Sequence, residues 1–121
     1  MKVLVVDGAN VVGSRPDGWW RDRAGAARRL HERLTVADLP FDQVVLVLEG
    51  AARKGVAASD GPVALAHALG EGDDAVVALA RMRASDGWEV TVVTADRGLR
   101  ERVTEEACAV LGPTWLLDQI G

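Results

Sequence analysis

Asp7, Asn10, Glu49, Asp73, Asp74 and Asp96 carry oxygen donors at positions where the chain changes from apolar to polar. Asp7 follows directly on the valine-rich run 3–6, Glu49 follows 44–48, and Thr94 and Asp96 end the run 90–94 and its exit. Asp73 and Asp74 lie in GEGDD. Carboxylates brought together repel one another unless a cation sits among them, and an all-oxygen donor set selects a hard divalent ion such as Mg2+ or Mn2+. Such an ion keeps several waters, one of which can become a nucleophile, and this is the chemistry of phosphodiester hydrolysis. Asn10, close behind Asp7, is spaced to hold one of those waters or to donate to a phosphate oxygen.

Each acid also has a plainer reading. Asp73 or Asp74 can serve only as a helix N-cap, Asp96 can cap the helix that RGLRERV predicts, and Glu49 can be solvated at a strand end. Asp7 is the strongest candidate, because no helix that it could cap is expected beside it and Gly8 lets the chain turn.

The elements that must position these groups follow from hydrophobic pattern. Segments 3–6, 44–48, 63–68 and 90–94 are short, apolar and bounded by turn residues, which predicts strands, with 109–111 a weaker fifth. Their continuous rather than alternating apolarity predicts a parallel sheet covered on both faces, with helices as the connections. A helix over 19–34 places Trp20, Ala24, Ala27, Leu30 and Leu34 on one stripe, with Arg21, Arg28, Arg29 and Arg33 mainly off it. A second over about 72–85 turns Val76, Val77, Leu79, Ala80 and Met82 inward, a third covers 97–107, and a short closing helix covers 115–120 after Pro113. The expected architecture is α/β, a single-domain doubly wound parallel sheet with helices on both faces, with segment 50–61 as its mobile loop. In such a sheet ligands bind at the carboxyl ends of strands, where the acids converge.

A chain of 121 residues, 49% hydrophobic and 26% charged, has the composition of one globular domain. Cys108 has no cysteine to pair with and no zinc-type spacing around it, so a reducing, cytoplasmic setting is expected. Neither a signal-peptide core nor a membrane-spanning run is present in the pattern. The formal net charge of −4 argues against holding duplex DNA by broad phosphate neutralisation. Arg15, Arg21, Arg53, Lys54, Arg97 and Arg100 neighbour the carboxyl ends of strands and can still form a basic rim around an acidic centre. Trp19 and Trp20 open the first long helix. Trp20 falls on the apolar stripe, so Trp19 is the candidate for stacking an unpaired base, and Ser14 joins the substrate-contacting set. Ser14 has no histidine partner for nucleophilic catalysis, since His31 is expected on a solvated helix face and His67 in a structural position on the third strand. Trp88 and Trp115 read as packing residues in opposite layers. Ala9 stands where a haloacid-dehalogenase-like phosphatase needs a second aspartate, and neither G-x-G-x-x-G nor a P-loop occurs.

The segments VVDGANVVGS, GEGDDAVVALA and VTVVTADRGLRERV resemble, in order and spacing, the NYN domains of the PIN-like nuclease superfamily. The resemblance implies a strand order of 3-2-1-4-5 and a metal-dependent ribonuclease, with Asp7, Asp73 or Asp74, and Asp96 ligating the Mg2+ or Mn2+, and Asn10 assisting; in such a mechanism Glu49 is placed to bind the metal through a water or to accept a proton. Several relatives carry a further acid where this chain has Arg100, so the implied set is one acid short and one metal is expected. Two other classes stay open: a non-catalytic RNA-binding or interaction module, and a metal-dependent hydrolase of nucleotides. The apolar faces also leave room for a homodimer.

Overall fold

Valine dominates the predicted strands because its branched side chain packs well on a pleated, doubly covered surface. In the computed structural model, which describes residues 1–57, 61–106 and 108–121, these segments form a five-stranded, all-parallel sheet of order β3-β2-β1-β4-β5. The strands are β1 (Lys2–Asp7), β2 (Gln43–Leu48), β3 (Val63–His67), β4 (Glu89–Val93) and β5 (Ala109–Leu111). The helices are α1 (Gly8–Gly13), α2 (Arg23–Val36), α3 (Gly72–Ser85), α4 (Arg97–Thr104) and α5 (Pro113–Ile120), with 3-10 turns at Trp19–Arg21 and Gly50–Gly55. The strand order is the one the resemblance implied.

Alternation along β1 divides the core in two. Val3 and Val5 pack with Val76, Val77 and Ala80 of α3 and with Leu99 and Val103 of α4. Leu4 and Val6 pack on the other face with Val11 of α1, Ala27, Leu30 and Leu34 of α2, and Leu116 of α5. Trp88 joins the first layer and Trp115 the second, as expected. Val3, Leu4, Val5 and Val6 are all fully buried, so β1 is the central strand of a doubly wound sheet.

Several expectations are corrected. Helix α1 was not expected, because GANVVG combines two glycines with two β-branched residues and so has weak helix propensity. Asp7 is its N-cap after all, accepting a hydrogen bond from the Asn10 N–H. The long helix starts at Arg23 rather than Trp19, since Asp22 caps it by accepting from the Gly25 N–H at 2.9 Å. Trp20 therefore lies outside the helical phase that put it on the apolar stripe, and it is 54% exposed. Met82 is likewise 54% exposed, because α3 buries a narrower stripe of Val76, Val77 and Ala80. His31 is half-buried with its Nε2 sealed from solvent, while His67 is exposed at the end of β3. Residues 50–55 form the second 3-10 turn, packed on α2. Helix α4 ends at Thr104, short of the expected 107, and the parts of the loop and third-helix expectations that fall on residues 58–60 and 107 lie outside the described residues.

Gly8 is required by close approach rather than by turn conformation. A Cβ there would lie 2.6 Å from the Val47 carbonyl oxygen and 3.0 Å from Leu48, because α1 begins directly against β2. Gly8→Ala should therefore destabilise the fold by about 1–3 kcal/mol, the usual range for overpacking. Gly70, whose added Cβ would meet nothing within 4 Å, serves as the control, and Gly70→Ala should leave stability unchanged within about 0.5 kcal/mol. Urea unfolding of both variants checks the pair, and equal midpoints would contradict the close-approach account.

Candidate functional site

The strand parity that divides the core also aims the acids. Asp7 continues Val3 and Val5, Glu49 continues Val45 and Val47, and Thr94 continues Val90 and Val92, so all three point to the α3 side at the carboxyl edge. Asp7 is 5% exposed and Thr94 is fully buried. The Thr94 hydroxyl donates to Asp7 Oδ2 at 3.0 Å and in turn accepts from the Asp96 N–H at 3.1 Å. The Asn10 N–H donates to Asp7 Oδ1 at 3.4 Å, and Asn10 Oδ1 accepts from the Ala95 N–H at 2.7 Å. These bonds tie the end of β1 and the start of α1 to the exit of β4.

Asp96 caps α4 by accepting from the Leu99 N–H at 2.8 Å. Neither Asp73 nor Asp74 is the N-cap of α3. Glu71 occupies that position without a side-chain bond, and Glu49 supplies the acceptor instead, its Oε2 taking the Gly72 N–H at 2.7 Å. Glu49 is thus half-buried at a helix N-terminus, where a negative charge is favoured, rather than simply solvated. A Cβ at Gly72 would lie 3.2 Å from the Glu49 carboxyl, so glycine keeps this approach open.

Burial pushes the Asp7 carboxyl above its ordinary value of 3.8; the Thr94 and Asn10 hydrogen bonds pull it back, while the charges of Asp73 and Glu49 push it further up. Asp73, Glu49 and Asp7 are therefore electrostatic neighbours. Asp74 is exposed, and its Oδ1 accepts from Arg102 of α4 at 3.0 Å. Between the two acids that the sequence left open, Asp73 is the one whose charge bears on Asp7.

The donor set is all oxygen, which fits a hard divalent cation. Among the described residues, however, no three His, Cys, Asp or Glu side chains are gathered into a finished metal-ligand group. Of the predicted substrate contacts, Ser14 is exposed at the end of α1 and donates to the Val11 carbonyl at 2.6 Å. Arg15 follows it half-buried, and Arg53 and Lys54 lie in the 3-10 turn after β2, where Arg53 Nε donates to the Gly50 carbonyl at 3.2 Å. Arg97 and Arg100 are exposed in the first turns of α4 and, with Ala95, Glu101 and Thr104, line an open surface hollow. Trp19 borders a separate cavity of about 400 Å³ beside Gly8 and Ala9. The sequence reading missed the Asn10 to Ala95 bond and the Asp74 to Arg102 pair, for which local spacing holds no signal. The shared face of Asp7, Glu49 and Thr94 was accessible from strand parity alone.

No family model and no curated protein matches the chain. Among solved structures it is similar to the crystal structure of Rae1 (YacP) from Bacillus subtilis, with a TM-score of 0.76 over 99% of this chain and 75% of that one. Identity between the two is 17%, so the likeness is one of fold. The 3-2-1-4-5 parallel sheet of this chain is consistent with a PIN-like fold. No helix is long and apolar enough to cross a membrane among the described residues.

The Asp7 shift sets a sign for stability. A folded-state pKa above 3.8 means that the folded chain binds the proton more tightly than the unfolded chain, so stability falls as pH rises from 3.8 through the raised value. The loss persists at neutral pH. In EDTA-containing buffer Asp7→Asn should therefore unfold at a higher urea concentration than wild type at pH 7, with the gap closing below the ordinary aspartate range. The substituted amide keeps an oxygen and an N–H2 group, so it can still meet the Thr94 hydroxyl. A variant no more stable than wild type at pH 7 would show that burial of this carboxylate is not an uncompensated strain.

Proposed function

We propose that this chain is a Mg2+- or Mn2+-dependent ribonuclease that hydrolyses phosphodiester bonds of single-stranded or structured RNA in the cytoplasm. The observation that carries the reading is Asp7, a nearly buried carboxylate at the end of the central strand on which the charges of Asp73 and Glu49, both negative, act. Anions held together at a ligand-binding edge are relieved by a cation. The PIN-like architecture supports the reading, as does the motif resemblance to NYN domains, which implies this chemistry at this edge.

Asp7, Asp73 and Asp96 would hold the ion directly, and Glu49 through a water. When bound, such an ion activates water for in-line attack on phosphorus and offsets charge on the transferring group. The chain's own residues supply the rest. Thr94 orients the Asp7 carboxylate, and the Asn10 backbone N–H holds its other oxygen. With Asn10 Oδ1 committed to Ala95, the Asn10 Nδ2 donors are the ones that would bind a phosphate oxygen. The exposed Arg97 and Arg100 on one side, and Lys54 with the half-buried Arg15 and Arg53 on the other, would take the neighbouring phosphates.

A second reading is favoured by one observation, the lack of a gathered ligand group among the described residues: an RNA-binding module without catalysis. Cleavage assays on short single-stranded RNA and on nucleoside triphosphates separate the classes. Cleavage of RNA should be absent in EDTA, return with Mg2+ or Mn2+, and fall at least about a hundredfold in Asp7→Asn. Mn2+ should also raise the melting temperature of wild type and leave that of Asp7→Asn unchanged, since only a site that binds the ion gains stability from it. RNA retained without cleavage under every metal condition would favour the binding module, and turnover of triphosphates alone would favour a nucleotide hydrolase.

A further inference from the structure

The cavity of about 400 Å³ lies between the start of α1, helix α2 and the turn that follows β2. Ala27 and Leu48 give it apolar walls, Trp19 and Arg23 border it, and Glu49 and Glu71 complete the lining. The Arg23 guanidinium stands 5.4 Å from the Trp19 ring centre, and Trp20 meets the same ring edge-on at 6.0 Å, so this aromatic surface is held in place. Gly8 and Ala9, which directly follow Asp7, line the same cavity.

Resting on the ribonuclease reading, we infer that this cavity receives one unpaired guanine base of the RNA. Its volume lies within the range of small-ligand sites, and its lining combines apolar walls with few polar groups. Unpaired RNA bases are bound by stacking on aromatic rings and arginine planes and by hydrogen bonds to their Watson–Crick edges. Here the stacking surface is the Trp19 and Arg23 pair. The edge-reading groups are carboxylates, which only accept when ionised. Guanine presents two adjacent donors on that edge, N1–H and the N2 amino group, which match the two oxygens of one carboxylate. Adenine and cytosine place an acceptor beside their amino group, and uracil flanks its single N–H with two acceptors, so each sets a lone pair against the carboxylate.

Glu49 has committed Oε2 to the Gly72 N–H, whereas the Glu71 carboxyl makes no capping bond to α3 although it stands at the N-cap. Glu71 is therefore the residue that selects guanine. A base seated there sits next to Gly8, and its ribose and phosphate run over the sheet edge to Asp7.

The test uses wild-type protein in EDTA with guanosine, inosine, adenosine and cytidine, followed by saturation-transfer NMR. Guanosine should bind about tenfold more tightly than adenosine or cytidine, with inosine, which lacks the N2 amino group, in between. Trp19→Leu should weaken every nucleoside by about tenfold. Glu71→Gln, at an exposed position, should bring the guanosine-to-adenosine ratio close to one without weakening adenosine. Equal binding of all four nucleosides, or a preference that survives Glu71→Gln, would overturn the inference. The assay contains neither metal nor a scissile bond, so its failure leaves the ribonuclease reading standing. A chain that selects guanosine and cleaves no RNA would overturn the ribonuclease reading alone.

Discussion

A carboxylate buried at the end of the central strand is the constraint around which the rest is arranged. Strand β1 is paired on both sides, so whatever follows Val6 must leave the sheet between β2 and β4 with little access to water. An aspartate there needs donors from the protein, and it receives the Thr94 hydroxyl and the Asn10 N–H. Two neutral donors only partly offset the burial of a charge, and the nearby acids add to the strain. A buried carboxylate whose pKa is raised by desolvation and by named acidic neighbours is a candidate for chemistry.

The same acids also serve the helices. Asp7 caps α1, Asp96 caps α4, and Glu49 takes an N–H at the start of α3. Each first turn leaves donors without intrahelical partners, and carboxylates satisfy them while gaining from the helix dipole. The capping and chemical readings of these residues are therefore not rivals: one placement provides both. Asp74 stands apart, because its exposed pair with Arg102 bridges α3 and α4 and contributes no more than about 1 kcal/mol.

Legibility followed the range of the interactions involved. The strands, their parallel packing and the acids at their ends could be read, since buried valine runs and polar exits are local patterns. Helix α1 could not, because six residues of weak propensity are held by Val11 under a packed core and by a cap from the preceding strand. The expectation that Trp20 packs on the apolar stripe fails. Trp19 does border a cavity, but Trp20 is exposed because Asp22 restarts the helix after it.

By itself the sequence determined the fold class and a short set of acids, because hydrophobic periodicity fixes which segments are buried and strand ends fix where polarity begins. Tertiary structure decided how that set divides. Asp73 acts on Asp7 and Asp74 on Arg102, Glu49 closes onto Gly72, and Asn10 turns its carbonyl to Ala95. The partners in each case lie far apart along the chain, and a hydrogen bond or charge acts over a few ångströms of space irrespective of sequence distance. Only the packing of α3 and α4 on one face of the sheet, and α1 and α2 on the other, brings them within that reach.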